Sequence, residues 1–250
     1  MPLAADARTL WRLARGFSGR GPHGARLERF YAPQAEHYDA FRERMLHGRR
    51  ELIERLPAPA GGRVIELGGG TGRNLDFFGE RLGALAAFEL VDLCPALLAV
   101  ARRRAAGWPN VAVLEADVTS YQPAEPAHCV YFSYALTMIP DWRRAIDNAL
   151  AMLRPGAVLG VVDFYVAEAR PAPGLARHSR LARGFWPRWF RRGGVRLSAA
   201  HLPYLRAATA EVHLAEGVGR VPYLPWLAAP YYVFVGRRRG EAPLRGAWLE

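Results

Sequence analysis

Lysine is absent from the 250 residues, so all 34 basic side chains are arginine. Without a lysine amine the chain has no side chain for Schiff-base chemistry. The net charge of +11 is carried by guanidinium groups, which pair bidentately with phosphate and carboxylate, and an anionic partner is the expectation. Cysteine is scarce too. Cys94 and Cys129 share no metal-ligand spacing with histidine, which leaves no metal centre and no disulfide framework to propose; reduced thiols in a cytosolic protein are expected. No apolar run has the length of a membrane span. Arg8, Arg12 and Arg15 lie among small residues with neither a long apolar core nor a small-residue cleavage site behind them, so no signal peptide is expected. If a membrane matters, the chain sits on it. Acids are missing from one long stretch, between Glu168 and Glu211.

Glycine, by contrast, is concentrated at one point. Val64-Ile65-Glu66-Leu67-Gly68-Gly69-Gly70-Thr71-Gly72-Arg73-Asn74 reads as a buried strand, a tight turn and a helix start. Such glycines let the backbone take positive φ and approach a ligand with no Cβ in between. The run lacks the Gly-Lys-Ser/Thr ending of a phosphate-binding loop, and its glycines are spaced more tightly than in the dinucleotide fingerprint. Glu66, on the strand before the turn, would repel a pyrophosphate and welcome an ammonium group.

The chain is long enough for one full core with an appendage. Residues 1–30 read as a flexible basic arm, with a short amphipathic helix near Leu10, and 241–250 as an exposed tail. One domain over 31–240 is expected between them. It opens with two helices over 31–56, ended by Pro57, Pro59, Gly61 and Gly62. Apolar runs at 86–92, 110–114, 129–134 and 158–164 read as buried strands after the first, separated by helices at 74–82, 95–104 and 142–153. Leu153-Arg154-Pro155-Gly156 reads as the turn into strand five. A lid over about 165–208, ending in a helix at 199–208, precedes two last strands at 211–218 and 231–235. This is an α/β, Rossmann-like, seven-stranded sheet with helices on both faces and a closing hairpin with one antiparallel strand.

Two acids follow the glycines in order. Asp92 ends strand two, where a doubly wound fold places a carboxylate for ribose hydroxyls. Asp117 follows strand three. In the acid-free stretch, Arg183, Arg188, Arg191 and Arg192 are interleaved with Phe185, Trp186, Trp189 and Phe190. Arginine alternating with large rings suits a membrane interface, and these residues with Trp186 and Trp189 are the membrane-binding candidates. Nucleic acid is the disfavoured rival, since no RNA-module motif is visible.

The pattern Glu66-x-Gly68-x-Gly70-x-Gly72 resembles motif I of the class I S-adenosylmethionine-dependent methyltransferases, and the resemblance runs from Tyr31 to Gly236. In detail, the segment from Tyr38 to Arg49, the segment from Tyr131 to Trp142, and Pro222-Tyr-Leu-Pro-Trp226 resemble the diacylglycerylhomoserine N-methyltransferases of bacterial betaine-lipid synthesis. Glu66 stands where the commoner motif has aspartate. The resemblance implies three methyl transfers from S-adenosylmethionine to the homoserine amine, giving diacylglyceryl-trimethylhomoserine. Glu66, Gly68, Gly70, Gly72 and Asn74 would hold the methionyl end, with Arg49 at its carboxylate. Asp92 would take the ribose hydroxyls, Asp117 the adenine amine and Val118 the ring edge, with Leu93 a further cofactor contact.

Tyr38, Ser133 and Tyr134 are expected at the reacting centre, with Ser133 also counted among the cofactor contacts. For a base, His201 and Asp163 are the candidates. The implied partners are a lipid in an anionic surface, at the inner face of the cytoplasmic membrane, and an upstream homoserine-lipid synthase. Two other readings stay open: a methyltransferase for a soluble small molecule or quinone precursor, and a non-catalytic cofactor-binding subunit on RNA or membrane.

Overall fold

The computed structural model describes residues 22–33, 43–222 and 224–239. Tyr38, the segment near Leu10 and the tail lie outside the described residues. Seven strands form one sheet: β1 Arg63–Leu67, β2 Ala87–Asp92, β3 Val111–Glu115, β4 Ala127–Ser133, β5 Leu153–Phe164, β6 Thr209–Val221 and β7 Leu224–Arg238. The helices are α1 His23–Tyr31, α2 Arg49–Arg55, α3 Leu75–Phe78, α4 Pro95–Ala105, α5 Trp142–Met152, α6 Arg180–Arg192 and α7 His201–Ala208. Strand order is β3-β2-β1-β4-β5-β7-β6, and β7 alone runs antiparallel to its neighbours. The order reverses between β1 and β4, which opens a crevice at their carboxyl ends.

Strand period explains the layers. Along β1 and β4, Ile65, Leu67, Val130 and Phe132 enter one core with Ile146 and Ala149 of α5. Val64, Cys129 and Tyr131 enter the opposite core with Leu52 and Leu56 from α2 and its end, and Leu98 of α4. Alternate residues thus bury both faces of the sheet. A third cluster forms a cap from Met45, Leu46, Phe164, Trp186, Phe190, Val221 and Ala229.

Several boundaries differ from the sequence reading. The helix expected over 74–82 breaks at Gly79 (φ 56°, ψ −136°) into α3 and a 3₁₀ turn, Gly79–Leu82. Leu153-Arg154-Pro155-Gly156 lies inside β5: Ala127 pairs with Leu153 and Cys129 with Val158, so the extra residues bulge with Gly156 at φ 74°. The last hairpin is longer than expected, with 13 residues in β6 and 15 in β7. Part of the basic arm is α1, which buries Leu27 and Tyr31 one helical turn apart. Among the described residues no helix is long and apolar enough to cross a membrane, and no group of His, Cys, Asp and Glu is arranged to hold a metal ion.

Candidate functional site

A cavity of about 300 Å³ lies at the crevice, lined by the turn after β1, the ends of β2 and β4, and α1. The turn is built on β2: Gly68 and Gly69 donate to Val91 O at 2.8 and 3.2 Å. Gly68 has φ 74°, and a Cβ there would fall 2.5 Å from that of Ala135. A Cβ on Gly69 would fall 2.5 Å from Leu90 Cγ. These two positions need glycine to bring bare backbone to the cavity wall. Gly70 lines the cavity beside them, whereas Gly72 packs behind the turn against Leu90 and Ala101.

Glu66 is 1% exposed, and its Oε1 accepts from Asn74 Nδ2 at 2.6 Å. Burial pushes its carboxyl up to about 7, although the Asn74 bond and the Arg49 guanidinium oppose that. Glu66 Oε2, Asn74 Oδ1 and Ser133 Oγ are buried, belong to cavity-lining residues and make no hydrogen bond of ordinary length among the described residues, the Tyr131 hydroxyl lying just close enough to Glu66 to oppose the rise of its pKa. Their spare capacity would suit a ligand carrying an ammonium group.

Asp92 ends β2 with both oxygens engaged: Gly70 N donates to Oδ2 and Cys94 N to Oδ1, each at 2.9 Å. Its burial raises the carboxyl pKa, and the backbone donors oppose the rise. Asp117 is exposed at the far end, where Thr119 N and Oγ1 donate to its Oδ1 at 2.8 Å. Leu93 and Val118 line the cavity between these acids, and Arg49, 7% exposed, lines it near Glu66.

Tyr134, just after β4, is the one non-glycine residue with positive φ among those described, at 56°. Such a conformation is costly for an aromatic residue, and strain of this kind concentrates at functional sites. Its hydroxyl donates to His47 O at 2.6 Å. Its ring meets Phe164 at 4.6 Å, and Phe164 meets Phe190 of α6 at 4.6 Å. This aromatic column links the cavity wall to the cap.

The two expected bases do not reach the cavity. Asp163 is fully buried behind it, accepting from Thr137 N and Oγ1 at 3.1 and 2.8 Å and from Phe164 N at 2.8 Å. Burial raises its carboxyl to about 7 against those donors. His201 is fully buried, its ring edge-on to Trp142 at 4.6 Å, and burial lowers its pKa to about 4. It is a neutral core imidazole. Tyr38 lies outside the described residues.

The arginine and tryptophan set divides by helix face. Trp186 is core, 4% exposed, and so is not a membrane-facing ring; Trp189 is half-buried. Arg183 is half-buried and donates to His178 O at 3.2 Å. Arg188, Arg191 and Arg192 are exposed.

Sequence reasoning missed α1 as a wall: His23, Leu27 and Tyr31 line the cavity. Glu28 fixes the helix there, its Oε2 accepting from Ala96 N and Cys94 Sγ at 3.1 Å. The spacing of Leu27 and Tyr31 was the available signal. The loop from Met138 to Asp141 also lines the cavity, as its place after β4 implied.

The family model described as "Methyltransferase domain" matches residues 38–216. Trans-aconitate 2-methyltransferase of Rhizobium leguminosarum bv. trifolii is 32% identical over 127 residues, 51% of this chain and 48% of that protein. The protein of the same name from Rhizobium etli is 30% identical over 163 residues, 65% and 61% of the two chains. This chain therefore spans about half to three-fifths of the length of these curated relatives. Among solved structures, the N-methyltransferase NodS of Bradyrhizobium japonicum WM9, in complex with S-adenosyl-l-homocysteine, superposes with a TM-score of 0.62. That match has 17% identity and covers 84% of this chain and 97% of the other, a likeness of fold.

Proposed function

The chain belongs to the methyltransferase-domain family, class I and S-adenosylmethionine-dependent, and from that premise we propose that it methylates the amine of a homoserine headgroup carried on diacylglycerol, three times in succession. The cavity suits the cofactor in its donor set. Glu66 and Asn74 would take the ammonium end, Arg49 the carboxylate, Asp92 the ribose hydroxyls, and Asp117 with Leu93 and Val118 the adenine. S-adenosylmethionine, when bound, supplies a methyl group on a positively charged sulfonium.

The side chains at the other end would orient the acceptor. Asp163 and His201 are buried outside the cavity lining and take no proton from the acceptor, so in this reading the amine arrives unprotonated. Alignment of the reactants is then the main catalytic contribution. The Tyr134 ring would stabilise the growing ammonium by roughly 0.5–2 kcal/mol. Ser133, beside it, would position the headgroup.

The observation that supports the lipid acceptor is the column Tyr134–Phe164–Phe190, through which the arginine-rich α6 packs behind Tyr134 of the cavity wall. A headgroup entering on the α6 side of Tyr134 would keep its acyl chains in a bilayer. This reading puts the protein at the inner face of the cytoplasmic membrane, beside a synthase that makes the homoserine lipid.

The relatives named for trans-aconitate favour a second reading, a soluble carboxylate as acceptor. Incubating the protein with S-adenosylmethionine and homoserine lipid in mixed micelles, or with trans-aconitate, separates the two. A lipid mass gain of three methyl groups is expected; a methyl ester on the soluble acid, with the lipid unchanged, overturns the proposal.

A further inference from the structure

We propose that the solvent face of α6 is a docking surface for an anionic lipid bilayer, with Leu181 and Phe185 inserted below the headgroups and Arg188, Arg191 and Arg192 on lipid phosphates. The location rests on the lipid-acceptor reading; the surface itself does not. Along α6, Ala182, Trp186, Trp189 and Phe190 turn inward to the cap cluster. Leu181, Phe185, Arg188 and Arg192, at spacings of four, three and four, form the opposite stripe. Leu181 is 84% exposed and Phe185 43%. Neither belongs to a core cluster: Phe185 leans on Trp186 and Trp189, with ring centroids at 5.0 and 6.4 Å, and leaves its outer side exposed, while Leu181 is almost wholly exposed.

The charge beside them is of one sign. No acid occurs from residue 169 to 210, and Arg188, Arg191 and Arg192 form no ion pair among the described residues. Guanidinium groups flanking apolar side chains on one helix face suit phosphate above and acyl chain below. A second apolar point lies on β7, where Trp226 is 74% exposed beside Leu227, which packs on the same cap cluster as Trp186. The aliphatic Leu181, which offers no ring face for a base to stack on and suits an acyl-chain environment, favours the bilayer over unpaired nucleic acid.

The test is co-sedimentation with vesicles of phosphatidylglycerol and phosphatidylcholine, of phosphatidylcholine alone, and binding to single-stranded RNA. The wild-type chain is expected to bind the anionic vesicles, more weakly as salt rises, and to bind neutral vesicles and RNA at least tenfold more weakly. A Leu181→Asp/Phe185→Asp variant and an Arg188→Glu/Arg192→Glu variant should each lose at least tenfold, with Tm and S-adenosylhomocysteine affinity as checks that the fold is intact. Variants that bind like wild type, or a wild-type chain that prefers RNA, overturn the docking surface. Methylation of homoserine lipid in detergent micelles reads the acceptor separately. Vesicle binding without methylation overturns the acceptor reading alone, and methylation without vesicle binding overturns the docking surface alone.

Discussion

Glu66 is a carboxyl group in a place that penalises its charge. In the unfolded chain it titrates near 4.5, and in the fold burial raises it to about 7. A ligand ammonium beside Oε2 would restore the charged form, so cofactor binding should release a proton below pH 7 and tighten as pH rises through that value. Calorimetry in two buffers of different ionisation enthalpy would detect the proton. A Glu66→Gln variant should bind about 10- to 150-fold more weakly, from roughly 1.5–3 kcal/mol for a charged hydrogen bond, with a flat pH profile. An unchanged profile would remove Glu66 from the ammonium site. Asp92 has a second duty, since it also accepts from Gly70 and Cys94. Asp92→Ala should therefore abolish measurable cofactor binding and also lower Tm, because two buried backbone donors lose their acceptor. Binding retained at the wild-type level would rule out the ribose role.

The elements show what could be read in the sequence and what could not. The order glycine turn, Asp92, Asp117 was legible because each residue ends or follows a strand, and strand ends fix position at the crevice. The sequence reading of the lid saw arginines interleaved with rings and no helix where α6 stands. It could not assign the rings to faces, because Phe185 and Trp186 are adjacent and point about 100° apart, so either could have been the core residue. The fold decided by packing Trp186 against the cap. The prediction at this scale is a contrast. Trp186→Ala should cost about 3–5 kcal/mol by chemical denaturation, whereas Phe185→Ala, which loses only the ring contacts to Trp186 and Trp189, should cost about 0.5–1.5 kcal/mol. Equal losses would mean that the two faces are assigned wrongly. Asp163 and His201 misled for the opposite reason: a strand end and a lid position look accessible in a sequence, and only the packing shows both to be fully buried. The bulge at Gly156 was hidden because a turn and a bulge use the same residues.

Over the whole molecule these buried groups set opposing slopes of stability with pH. Glu66 and Asp163 have folded pKa values raised to about 7, so between about 4.5 and 7 the folded state holds more protons than the unfolded one, and their contribution declines as pH rises. His201 is lowered from 6.5 to about 4, so the unfolded chain binds the extra proton and stability is lost as pH falls through that window. Two acids oppose one imidazole. Together these three groups should contribute a loss of stability from pH 5 to 6.5 of roughly 1.4 kcal/mol per unit, one net proton, superposed on the mutually opposing contributions of the lowered His23, His128 and His178 and the raised Asp92 and Glu216. Denaturation midpoints at pH 5, 5.7 and 6.5 would measure the slope. Relative to wild type, a Glu66→Gln/Asp163→Asn variant should move the slope in the stabilising direction by about two protons, and His201→Leu should move it by about one the other way. Saturating S-adenosylhomocysteine should flatten the wild-type slope by favouring ionised Glu66, while leaving the Asp163 and His201 contributions in place. If the double variant kept the wild-type slope, other groups would be governing the pH dependence, and the buried carboxyls would have no part in it.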